Sequence, residues 1–473
     1  MKLLMAYCLL MCFSAAIAQD LPSISPVQAL IDRASPGDTV YVVRGVYEGD
    51  LEVSKTLALV GVGRPVLRGS GEGSCLTIMA PGCLVRGFVI ERSGSDVMRE
   101  DAGILVRSDF NRIEQNEMRD ILFGIYLLES DANFVIGNTI LGRGHLDYGQ
   151  RGSGIHIWNS NDNVFEGNVV SDARDGFYIQ YARRTRISGN AVYNTRYGLH
   201  YMYADSNSFS SNRFTSNVAG AAIMYSRDIT FRHNVFAHNR GFASYGILFQ
   251  DCRGIVADSN VIADNVVGMF FEASSGNLFR HNVIAQNDLA LQMFQNSNGN
   301  VLTENNFLDN LNPLAIVGKR TESEWSLDGR GNYWSNYGGY DLDADGIGDV
   351  PMKIQNVFDY LEGRTPNLRV YLYSPASQAL AAASSAFPII DVNKETDEYP
   401  LMRPVNLGAI PSVVMAQGSS KVTGAREIFL GIIAGAGVAG TLLFRKNRKN
   451  KNSYRTLSIS PTHAAIGNGS YGK

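Results

Sequence analysis

The chain has 473 residues, a formal net charge of −3 and a sequence pI near 6.2. That length allows one large scaffold with appendages. The absence of a basic excess argues against a nucleic-acid binder. Beyond Cys8 and Cys12 in the first apolar run, only Cys75, Cys83 and Cys252 occur, with no close-spaced CxxC pair, which excludes a disulfide framework and a zinc site.

Residues 1–18 read as a secretory signal. Lys2 precedes an apolar run from Leu3 to Ile17, and Ala16-Ile17-Ala18 forms a small-residue cleavage site before Gln19. Cys8 and Cys12 lack lipobox-like neighbours, so lipidation is not expected. Residues 20–72 read as the start and cap of a solenoid: a short amphipathic helix over Pro26–Ala34, a turn at Ser35–Thr39, then strands at Val40–Val43, Leu51–Val53 and Leu57–Val60. A helix across the open end would cover strand edges that otherwise invite aggregation.

From Gly103 to Asn305 the chain repeats about every 22 residues. Asn116, Asn138, Asn168, Asn190, Asn212, Asn234, Asn260, Asn282 and Asn305 follow at spacings of 22, 30, 22, 22, 22, 26, 22 and 23. A period of that size means stacked supersecondary units. A leucine-rich repeat would need a Leu ladder. These units instead alternate β-branched and aromatic residues with period 2 and break at Gly, Asn, Asp and Ser. The expected fold is all-β: a right-handed parallel β-helix with three short strands per coil, over residues 19–318 with its N-terminal cap. The Asn residues are placed at corners, where they tolerate left-handed angles and bond the equivalent Asn one coil away.

One and three residues after each repeat Gly, pairs such as Ile125/Leu127, Ile155/Ile157 and Phe177/Ile179 should point inward. Two and four residues after it the side chains should point outward. That outward strip includes Tyr126, His156, Trp158, Tyr178, His200, Met202 and Met224, with Tyr181, Tyr203 and Tyr225 one residue beyond. A contiguous exposed aromatic and thioether strip is expected to bind something. The two long spacings come from insertions around Gly142–Arg151 and Gly241–Ser244, both just before a strip strand, and insertions on one face often mark the binding face. Met202 and Met224 should stack in neighbouring coils with His200 beside them, and His156 lies on the same strip. Thioethers with imidazole suit Cu(I) better than Zn²⁺ or Ca²⁺. His145, His233, His238 and His281 fall mostly at turns and are expected to be bystanders.

An enzymatic reading, cleavage or epimerisation of acidic polysaccharides, needs outward carboxylates or a Lys/Arg–Tyr constellation. The strip offers only Glu272, and Asp101 and Asp175 show no partner of known geometry, so no catalytic residue is expected. A carbohydrate-binding module stays open.

Residues 319–356 are aromatic, then acidic. Asp341, Asp343 and Asp345 followed by Gly346 match the first half of a calcium loop, with Asp349 as a substitute ligand, whereas the twelfth position is Met352 and not Glu. Residues 357–404 contain an Ala-rich stretch after Pro375, expected to be helical and to contact a partner. Residues 405–427 read as a linker. Ile428–Phe444 is an uncharged apolar run of 17 residues followed at once by Arg445, Lys446, Arg448, Lys449 and Lys451. It is expected to cross a membrane and leave residues 445–473 in the cytoplasm.

YGLHYMYADSN (Tyr197–Asn207), AIMYSRD (Ala222–Asp228), ASYGIL (Ala243–Leu248), GNYW with GYDLDADGIGD, and DEYPLMRP (Asp397–Pro404) occur together in the chain. On these segments the chain, from about Ile24 to Pro404, resembles the NosD family, periplasmic maturation factors of the copper-dependent nitrous oxide reductase. The resemblance implies a non-enzymatic role in supplying copper to that reductase. Its implied partners are an ABC transporter permease and ATPase and a copper-donor lipoprotein, with residues near 357–404 docking on the permease. It also implies a protein soluble in the periplasm, from which the apolar run at 428–444 departs by anchoring the chain in the inner membrane.

Overall fold

The computed structural model describes residues 25–354 (except 242–243 and 319), 374–376, 379 and 395–407. The expected signal, the expected membrane-crossing run at 428–444, the tail at 445–473, most of the expected linker and most of the 357–404 segment lie outside the described residues. Among those described, no helix is long and apolar enough to cross a membrane.

Alternation in the sequence becomes a parallel β-helix of the right-handed type. Three sheets of 12, 13 and 12 strands run along it, and every strand pairs with its equivalent one coil away. The register is strict: Phe177 pairs Leu199, which pairs Ala221, so like residues stack on like. The inward positions are fully buried, and aromatic columns fill the core, with Phe209–Phe231 centroids at 4.9 Å and Phe214–Phe236 at 5.2 Å. Helix α1 (Pro26–Arg33) starts on a proline that needs no N–H partner there. It buries Val27 and Ile31 against the strands Thr39–Val43 and Leu51–Val53, which covers the first coil.

The expected Asn column is present and buried throughout, but its backbone differs from expectation. The left-handed residue is the one before each Asn, for example Gln115, Ser211, His233 and Glu304, and not the Asn itself. That residue makes the bend, and the Asn that follows turns its amide inward. Asn190 donates its backbone N–H and its Nδ2 to Asn212 Oδ1 at 3.0 and 2.9 Å, and its Nδ2 also reaches the Phe165 carbonyl at 3.1 Å. Corner groups that would be orphaned inside the coil are thereby satisfied. A second column not singled out from the sequence, Asn217–Asn239–Asn265–Asn287–Asn310, does the same at another corner.

The far end is closed by a distant segment. Thr396–Asp397 pairs antiparallel with Met352–Lys353, and Leu401 bridges Tyr333 and Ile347. Within the 357–404 segment, residues 395–404 are not helical: the strand Thr396–Asp397 is followed by an irregular stretch packed on the last coil. Buried Asp397 receives the Asn332 amide at 2.8 Å and the Trp334 indole N–H at 3.0 Å, so a carboxylate ends the Asn column. Glu395, also buried, accepts the Trp325 indole N–H at 2.9 Å.

Candidate functional site

The third sheet carries the strip on the coils from Phe123–Leu128 to Ala219–Met224. Both insertions enter just before strands of that sheet. The first, together with the turn at 94–101, folds over the strip as a roof. Buried Arg143 ties the two, bonding Ser95 Oγ at 2.7 Å, the Ser93 carbonyl at 2.8 Å and Asp120 at 3.1 Å. Asp101 does have partners: it accepts the Asp96 N–H at 3.0 Å and pairs Arg99 at 3.4 Å, which shapes the turn.

This roof changes the expected exposure. Tyr126 is 2 % exposed and His156 6 %. Phe123 packs on both, because the strand begins on an aromatic residue that folds back under the roof. The Tyr126 hydroxyl bonds Glu100, and burial, followed by that carboxylate, holds its proton tightly. His156 is sandwiched between the rings of Tyr126 and Tyr178, both at 4.5 Å. Burial pushes its pKa down to about 3, so it is a neutral imidazole at neutral pH. Neither ring nitrogen has a hydrogen-bond partner. Such buried orphans cost about 1–3 kcal/mol each.

His156 is not brought to the other candidate ligands. The Tyr178 ring separates it from His200, its centroid being 4.5 Å from one and 4.9 Å from the other. Two coil spacings, roughly 9.6 Å at about 4.8 Å each, therefore separate the two histidines. Met202 and Met224 do stand in register on adjacent strands, half-buried, with His200 two residues before Met202. Gln180, their neighbour one coil back, is held by the Tyr178 hydroxyl at 2.6 Å.

His200 has support that the sequence did not reveal. Asp175, 2 % exposed, lies 3.0 Å from His200 Nδ1 and is gripped by Arg196 through two bonds of 2.9 and 2.7 Å. Burial alone would raise the Asp175 pKa, but the hydrogen bonds from His200 and Arg196 and their charges bring it below the usual value. A carboxylate only accepts, so Nδ1 of His200 carries a proton towards Asp175, which leaves Nε2 as the nitrogen available to a metal when the ring is uncharged. Fixing the tautomer from behind is how metal-binding imidazoles are commonly oriented. Arg174 and Arg196 both sit two residues before a repeat Gly, so their coincidence was visible in the period, although the partner was not.

Beside this strip Tyr181, Tyr203 and Tyr225 form the expected outward ladder, each roughly half exposed and each at positive φ. Their rings stack at 5.7 and 5.0 Å, and Trp158 meets Tyr181 edge-on. Under the roof a cleft of ≈ 280 Å³ is lined by His156, Asp175, Tyr178, Arg174, Arg196 and His200, among others. The thiols take no part: burial pushes Cys75 and Cys252 up to about 12. At the other end Asp341, Asp343 and Asp345 converge within 4.8 Å, while Asp349 stands outside that group and accepts the Leu342 N–H at 2.6 Å.

A parallel β-helix with an imidazole–thioether–aromatic strip and a roofed cleft defines a solenoid with a candidate binding face. The sequence comparisons narrow this further. Residues 140–339 match the family described as periplasmic copper-binding protein (NosD). The chain is 35 % identical over 394 residues to a Pseudomonas aeruginosa protein named "Probable ABC transporter binding protein NosD", covering 80 % of this chain and 91 % of the relative. A Stutzerimonas stutzeri protein of the same name is 33 % identical over 376 residues, covering 76 % and 85 %. The chain belongs to the NosD family. Among solved structures, the mannuronan C-5 epimerase A-module of Azotobacter vinelandii is 16 % identical with a TM-score of 0.44, covering 66 % of this chain and 95 % of that one, a likeness too distant to bear on activity.

Proposed function

We propose that this chain is a non-enzymatic periplasmic protein that carries copper for assembly of nitrous oxide reductase, in association with the permease and ATPase of an ABC transporter. Family membership supports the general role. The observation that carries the residue-level reading is the in-register pair Met202 and Met224, with His200 two residues before Met202 on the same strand. Two thioethers and one neutral imidazole form a soft, low-coordinate donor set that suits Cu(I) cargo and allows its release. Asp175 and Arg196 act as positioning residues behind His200. A copper-donor lipoprotein upstream, the reductase downstream and an inner-membrane anchor at 428–444 complete the proposal.

Competition against a Cu(I) chelator tests the site. Met202→Ala/Met224→Ala is expected to abolish measurable transfer from the chelator. Asp175→Asn is expected to weaken binding about 10–100-fold, the usual effect of losing a carboxylate behind a ligating imidazole. Affinities equal to wild type in both variants would remove the ligand assignment.

A further inference from the structure

We propose that the roofed cleft beside Tyr178 binds one small hydroxylated carboxylate, about the size of a single sugar acid, with Arg174 as its anion anchor. The inference is independent of copper.

Three guanidinium groups line the cleft, Arg151, Arg174 and Arg196, against two carboxylates, Glu100 and Asp175. Two of the three are already engaged. Arg196 is clamped on Asp175, and Arg151 stitches the insertion together through the Leu146 and Gly144 carbonyls, both at 2.7 Å. Arg174 has no ion pair among the described residues, yet lines the cleft and acts on Tyr178 by its charge. A planar guanidinium left over in a cavity matches a planar carboxylate, which it can hold through two parallel bonds.

The remaining walls ask for hydroxyl groups and one apolar face. Glu100 is an acceptor on the rim. Phe123 and Val97 supply the apolar face. At ≈ 280 Å³ the space lies at the lower end for ligand pockets, enough for a single small ring and not an oligomer. Buried His156 forms the back of the cleft as a neutral ring that adds no charge of its own.

The test is calorimetric titration of the metal-free full chain with glucuronate, with glucose as the uncharged counterpart and sulfate as a plain anion. Glucuronate is expected to bind at least tenfold tighter than either. Arg174→Gln, which keeps a polar side chain, shorter by two atoms, and removes its charge, is expected to lose at least tenfold while the circular dichroism spectrum stays unchanged. Met202→Ala/Met224→Ala is expected to retain glucuronate binding, so failure of this inference and failure of the copper reading are separable. No heat with glucuronate at millimolar concentration, equal binding of glucose or sulfate, or an Arg174→Gln variant that binds like wild type would each overturn the proposal.

Discussion

Replacing His156 by Phe makes the burial argument quantitative. The folded protein holds this imidazole neutral, with its pKa pushed down to about 3, while the unfolded chain protonates it near its ordinary value of 6.5. The unfolded state therefore binds more protons at acidic pH, and stability falls as pH drops below about 6.5, with the loss complete near about 3. Between pH 7 and pH 5 that difference amounts to about 2 kcal/mol for this one residue, at about 1.4 kcal/mol per unit once titration is under way. Phe keeps the ring between Tyr126 and Tyr178 and removes both orphaned nitrogens. At pH 7 their removal contributes about 2–6 kcal/mol, at about 1–3 kcal/mol for each nitrogen, offset by about 1–3 kcal/mol for the larger ring. The variant should thus be as stable as wild type or more so at pH 7, and ahead of it by about 2 kcal/mol more at pH 5. Urea unfolding of both proteins at the two pH values, followed by tryptophan fluorescence, measures that widening. Because only the difference between the proteins is used, other titrating groups cancel. Parallel pH profiles would refute the buried neutral imidazole.

Asn212→Ala should destabilise the solenoid by about 3–9 kcal/mol, because it strands three buried groups at roughly 1–3 kcal/mol each. Those groups are the Asn190 N–H, one arm of the Asn190 amide and the Ile187 carbonyl. A urea midpoint unchanged from wild type would contradict this. Asp397→Ala should open the C-terminal closure, leaving the Asn332 amide and the Trp334 indole N–H without their acceptor. The expected signs are a shift in tryptophan emission and new binding of a hydrophobic dye, both absent if the segment at 395–404 does not seal the coil.

The coil itself was legible in the sequence. In a β-helix a residue's main neighbours lie one coil away, so spatial contact and sequence period are the same quantity. Ile155, Phe177, Leu199 and Ala221 recur one per coil and stack for that reason. The Met202–Met224 register and the Tyr181–Tyr203–Tyr225 ladder were equally readable, since both follow from the period and the two-residue alternation. The second Asn column was written in the same period and needed only to be counted.

Tertiary structure decided what departs from that repetition. The turn at 94–101 and the insertion at 142–151 have no periodic counterpart, so nothing local told that they would roof Tyr126 and His156 and turn an exposed strip into a cleft. Asp175 appeared without a partner because its hydrogen bonds come from Arg196 and His200, 21 and 25 residues later, through side chains and not through the ladder. Asp397 ends the Asn column from 65 residues beyond Asn332. Backbone periodicity is a local property that a sequence carries on its face. The cover over the strip, the charge network behind His200 and the seal at the end depend on where long side chains and non-repeating segments come to rest, and only the folded chain determines that.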